Sequence, residues 1–122
     1  MTKPLAIVLY ERLMPGSQLV NRLQDLGYRT DTLSEPKSLV ERAEKVKPML
    51  VVADLEPASA KVADALLRLK QNSGTSHLPI IAFCADASAD LPNLAKAATL
   101  VVTDTAIVNH LPLFLQQALQ ID

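Results

Sequence analysis

Five short apolar runs punctuate the chain: Leu5 to Tyr10, Tyr28 to Leu33, Met49 to Asp54, Ile80 to Ala85 and Leu100 to Thr103. Four are continuous and rich in Val, Ile and Leu, the pattern of strands buried on both faces of a parallel sheet covered by helices. In the second run Tyr28, Thr30 and Thr32 alternate with Arg29, Asp31 and Leu33, which predicts an edge strand. Between the runs, apolar residues recur at helical spacing. Leu19, Val20, Leu23 and Leu26 form one stripe, closed by Gly27. Leu39, Val40, Ala43 and Val46 form a second, with Ser34-Glu35-Pro36 as its start signal and Pro48 as its limit. Val62, Ala65, Leu66 and Leu69 form a third, ending in the turn-rich segment Gln71 to Ser76. Leu91, Leu94, Ala95 and Ala98 give a shorter fourth, capped by Ser88. Leu111, Phe114, Leu115, Ala118 and Leu119 give the last, with Pro112 in its first turn and Asn109 as its cap.

Strict alternation of strand and helix predicts an α/β fold: a flavodoxin-like, doubly wound (βα)5 three-layer sandwich. Its five-stranded parallel sheet has strand order 2-1-3-4-5, with right-handed crossovers. The 122 residues suit a single domain, residues 1–122, because either half would bury too little core. In such sheets the chemistry sits outside the carboxyl ends of the strands, where strand order reverses.

Composition narrows the function. With 49% apolar and 20% charged residues the chain should fold. Twelve Lys and Arg against thirteen Asp and Glu give a net charge of −1, with the basic residues scattered from Lys3 to Lys96. No concentrated positive field results, so nucleic acid and anionic membrane are not the expected partners. The four aromatics, Tyr10, Tyr28, Phe83 and Phe114, leave little for stacking bases. The single cysteine, Cys84, permits neither an internal disulfide nor a multi-cysteine metal site. The first apolar run meets Glu11 and Arg12 too soon for a signal peptide or membrane span, so the expected location is cytoplasmic.

At the carboxyl ends stand Tyr10-Glu11, Asp54-Leu55-Glu56-Pro57, Cys84-Ala85-Asp86 and Thr103-Asp104, which gather acidic groups on one edge of the sheet. Asp54 follows five apolar residues. A carboxylate there needs a partner or a cation, or else it caps the next turn. Glu11, Asp54 and Asp104 could share a cation, with Lys3 and Lys61 as basic residues able to reach the edge; the simpler expectation sends Asp104 to solvent or to a cap of the last helix. His77 and His110 have no metal or catalytic spacing and read as surface residues.

Val51-Val52-Ala53-Asp54-Leu55-Glu56-Pro57, Leu26-Gly27-Tyr28, Lys47-Pro48-Met49-Leu50 and Leu78-Pro79-Ile80-Ile81-Ala82-Phe83-Cys84-Ala85 stand in register with the receiver domains of bacterial response regulators, which the chain resembles from Leu5 to Leu119. The resemblance implies that Asp54 matches the phospho-accepting aspartate. The two metal-binding acids of the family fall on Tyr10 and Glu11, which leaves Glu11 and Asp54 as metal carboxylates. The family's hydroxyl on the fourth strand falls on Cys84, a weaker donor, with Thr103 as a hydroxyl nearby. The family's lysine falls on Asp104, followed by Thr105 instead of the usual proline. The aromatic switch position reads Val101, and no glycine occurs in Glu56 to Ala60. Unit charges about 4 Å apart interact by roughly 4 kcal/mol at an effective dielectric near 20, so exchanging that Lys for Asp turns attraction into repulsion of an aspartyl phosphate.

The expectation is therefore a degenerate, pseudo-receiver-like domain: a signalling interaction module of two-component, phosphorelay type, and not an enzyme. No cofactor is required, and Mg²⁺ is the ion the acidic edge could take. The partner is a protein, a histidine kinase or downstream effector. Contact, including homodimerisation, is expected on the face built by the fourth helix, fifth strand and fifth helix, roughly Leu91 to Leu119, through Ala97, Val101, Ile107 and Leu111; the equal alternative is that these apolar residues fill the core. The alternative is a genuine phospho-accepting receiver with Asp54 as acceptor. A flavodoxin-like cofactor binder is disfavoured, because Glu11 to Ser17 offers one glycine and one serine to cradle a phosphate.

Overall fold

A computed structural model describes residues 4–56, 59–85 and 98–119. Five parallel strands, β1 (Leu5–Leu9), β2 (Arg29–Leu33), β3 (Leu50–Asp54), β4 (Ile80–Cys84) and β5 (Leu100–Thr103), form one sheet in the order β2-β1-β3-β4-β5. Both the class and the order match the sequence expectation. Among the described residues the helices are α1 (Leu13–Asp25), a 3₁₀ turn at Pro36–Ser38, α2 (Leu39–Val46), α3 (Ser59–Gln71), α4 (Asp104–Asn109) and α5 (Leu111–Leu119). The stripe through Leu91, Leu94 and Ala95, its cap Ser88, and Ala97 lie outside the described residues.

Strand side chains alternate between faces, and this divides the core in two. Ala6, Val8, Leu50, Val52, Ile81 and Phe83 pack with Leu19 and Leu23 of α1, Ile107 of α4, and Leu111 and Leu115 of α5. Ile7, Leu9, Val51, Ala53, Ile80 and Ala82 pack with Leu39 and Ala43 of α2 and with Val62, Leu66 and Leu69 of α3. Every residue of β3 and β4 is buried, as their unbroken apolar runs require. β2 is the half-exposed edge its alternation predicts, and its Asp31 takes a two-point bond from Arg42 of α2 at 2.7 and 3.0 Å.

Local signals account for the helix boundaries, with two differences from the sequence reading. Gly27, at φ +92°, ends α1 in the left-handed conformation that glycine adopts without steric cost. Ser34 does not cap α2. Glu35 stays extended (φ −107°, ψ 117°) before Pro36, as residues preceding proline do, and the 3₁₀ turn leads into the helix instead. Asn109 does not begin the last helix either. Thr103 ends β5 and its Oγ1 accepts the Ala106 N–H at 3.1 Å, so α4 starts immediately and Asn109 is its last residue. The periodicity of the last stripe carried no sign of this extra turn.

Gly16 of α1 lies under the Tyr10 ring, and a Cβ there would overlap ring carbons. Gly16→Ala should therefore lose about 1–3 kcal/mol by overpacking, more than the roughly 1 kcal/mol of helix propensity it gains. In a Tyr10→Ala background the same substitution should stabilise. Urea unfolding of the four proteins checks both signs.

Candidate functional site

β3 delivers Asp54 to the carboxyl edge with its side chain fully buried, so desolvation must be offset there by a cation. Arg12, one residue before α1, supplies it. Its Nε donates to Asp54 Oδ2 at 2.9 Å and its Nη2 to Asp54 Oδ1 at 2.7 Å. The same guanidinium reaches Asp104, with Nη1 donating to Oδ2 at 2.9 Å and Nη2 to Oδ1 at 3.0 Å. Four of its five N–H donors thus face carboxylate oxygens, the fork geometry in which Arg is strongest. Hydrogen bonding to Asp54, then to Asp104, raises the Arg12 pKa well above its already high ordinary value, so the cation is permanent.

Glu56 completes the arrangement. Its backbone N–H donates to Asp54 Oδ1 at 2.9 Å, and its Oε2 lies 3.9 Å from Arg12 Nη2 while accepting the Ala85 N–H after β4. Asp54 Oδ1 thus has two donors and Oδ2 one.

The structure brings together two of the expected residues, Asp54 and Asp104, through a third that the sequence reading passed over. Asp104 neither points freely to solvent nor caps the last helix: it opens α4 and holds Arg12. Glu11 is exposed. Cys84 is buried in the α2–α3 core. The Thr103 Oγ1 is used as the cap of α4. Lys61 lines a groove between the 3₁₀ turn and α3, and Lys3 is outside the described residues. His77 and His110 are exposed, the latter edge-on to Phe114. On the expected contact face Ile107 and Leu111 are fully buried, because α4 and α5 turn them onto the sheet, so neither can meet a partner. Val101 is half-buried, and Leu113 is the half-exposed apolar residue of α5. The signal that could have found Arg12 is charge balance: acids at 54, 56 and 104 require a cation, and Arg12 is the basic residue in the loop that follows β1.

No protein-family model and no curated protein matches the sequence. Solved structures match its fold. The receiver domain of sensor histidine kinase PA1611 from Pseudomonas aeruginosa PAO1, with a magnesium ion coordinated in its active-site cleft, aligns at TM-score 0.85 and 18% identity, over 98% of this chain and 100% of that one. The chemotaxis response regulator CheY4 of Vibrio cholerae gives 0.81 and 18%, over 96% and 99%. The response regulator domain of Thermotoga maritima CheB gives 0.78 and 14%, over 99% of each. The chain has the receiver-domain fold.

The described residues, as arranged, do not fit a magnesium ion. Mg²⁺ demands octahedral oxygen ligands and keeps several waters. Here both Asp54 oxygens face a guanidinium, and the cleft lined by Glu11, Asp54 and Glu56 measures about 10 Å³, space for one water. Among the described residues no group of three His, Cys, Asp or Glu side chains could hold a metal.

Removing one partner of a buried pair leaves an uncompensated charge, so Arg12→Met should lose about 3–5 kcal/mol. Asp104→Asn, at a partly exposed position, should lose only about 1 kcal/mol. Urea unfolding at neutral pH checks the magnitudes and their order.

Proposed function

We propose that this chain is a receiver-type signalling module of two-component systems that acts by protein–protein contact, without enzymatic activity and without an aspartyl-phosphate switch. One observation carries the reading: the Arg12 guanidinium holds Asp54 and Asp104 at once. An aspartate accepts a phosphoryl group when a free carboxylate oxygen attacks phosphorus in line and cations neutralise the developing charge. Here each Asp54 oxygen accepts a hydrogen bond from Arg12, and the carboxylate is buried. A phosphoryl dianion added to it would lie beside the carboxylates of Asp104 and Glu56, with one guanidinium to balance them all.

The partner is a protein, a histidine kinase or downstream effector, met in the cytoplasm. Half-exposed Leu113 of α5 and the partly buried Val102 and Val108, which pack on the same side of the sheet as α5, are the apolar surface offered to that partner or to a second copy of the chain. The place of Asp54 at the carboxyl end of β3 favours a second reading, a phospho-accepting receiver using Mg²⁺, which requires Arg12 to leave the cleft.

Incubation with acetyl phosphate and Mg²⁺, followed by intact-mass measurement, separates the two. The interaction-module reading expects no phosphoryl adduct. Stoichiometric, acid-labile modification that disappears in Asp54→Ala would establish the second.

A further inference from the structure

The polar contacts at the carboxyl edge form one connected network that ties four of the five strands together. Arg12 follows β1, Asp54 ends β3, Ala85 follows β4 and Asp104 follows β5. Arg12 joins the first, second and fourth of these through its paired bonds to the two aspartates. Glu56 brings in β4: its N–H donates to Asp54, and its carboxylate accepts the Ala85 N–H and lies near Arg12. At β5 the network continues into α4, because Asp104 is the first residue of that helix and the preceding Thr103 caps it.

We propose that this network is a built-in strap that keeps the carboxyl edge in a single conformation, so that the surface after β5 is presented constitutively. A domain that switches needs two arrangements of its edge within a few kcal/mol of each other. Here a permanently charged hub bonds carboxylates on two separate strands, and any alternative edge must break several charge-assisted bonds and strand the buried Asp54 carboxylate. The strap itself rests on geometry; its meaning for partner binding rests on the interaction-module reading.

Amide hydrogen exchange tests it, since three backbone N–H groups donate to side chains in or beside the network: Glu56 to Asp54, Ala85 to Glu56 and Ala106 to Thr103. Gly27 and Thr75, bonded to backbone carbonyls of Gln24 and Asn72, serve as controls. Arg12→Gln should lower protection at all three edge amides by about tenfold or more, while the controls change less than about twofold. Asp104→Asn should act on Ala106 and also on the distant Ala85. Equal loss at all five amides, which is plain destabilisation, would overturn the proposal, as would a response confined to the neighbours of the substituted residue. Should Arg12→Gln fail to fold, relaxation dispersion on the unmodified protein decides: flat profiles at Ala85 and Ala106 are expected, and microsecond–millisecond exchange there contradicts the strap. Phosphorylation of Asp54 with flat dispersion in the unmodified protein would refute the proposed function and the constitutive presentation that rests on it, and leave the network as the strap of the unphosphorylated edge.

Discussion

A carboxylate at the end of a fully buried strand is the constraint around which this molecule is arranged. Asp54 has no exposed side-chain surface, and an isolated charge there would cost several kcal/mol in lost hydration. The chain answers with Arg12, and that choice fixes much else. The guanidinium has donors to spare after binding one carboxylate, so it takes a second, and Asp104 stands where it can be taken. The acidic residue that follows β5 is thus held by the same cation that holds Asp54.

The same geometry explains why the edge is polar yet closed. Neighbouring strands lie about 4.8 Å apart, so side chains from β1, β3 and β5 must converge from both sides to meet above β3 and β4. Arg is the side chain long enough and forked enough to do so, whereas a Lys at the same position would offer a point charge and could not bridge two carboxylates in matched pairs. A sheet of this class places its chemistry at the carboxyl edge, but what that chemistry is depends on the side chains set there. In this chain the edge holds an internal ion-pair network.

The fold was largely legible in the sequence because it is written in local periodicity. Unbroken runs such as Leu50 to Ala53 and Ile80 to Cys84 can be buried on both faces only between helical layers, and the alternation from Tyr28 to Leu33 marks an edge. What escaped was what periodicity does not encode. Thr103 ends a strand and caps a helix at once, so α4 was hidden, and with it the burial of Ile107. Within the site, Asp54 and Asp104 stood out as acids after apolar runs, but Arg12 lies 42 and 92 residues from them. A pairing over such separations is visible only once the sheet has brought the loops together. The missing positive charge was legible; its position was not.

The central claim, that Arg12 occupies the cleft by holding two carboxylates, can be observed directly by NMR of protein carrying ¹⁵N-labelled arginine and ¹³C-labelled aspartate, at neutral pH with and without Mg²⁺. Separate, slowly exchanging Nε–H and Nη–H signals are expected for Arg12, correlated across hydrogen bonds to the carboxylate carbons of both Asp54 and Asp104, and unmoved by Mg²⁺. A single averaged Arg12 guanidinium signal exchanging freely with water, or displacement of these signals when Mg²⁺ is added, would contradict that claim.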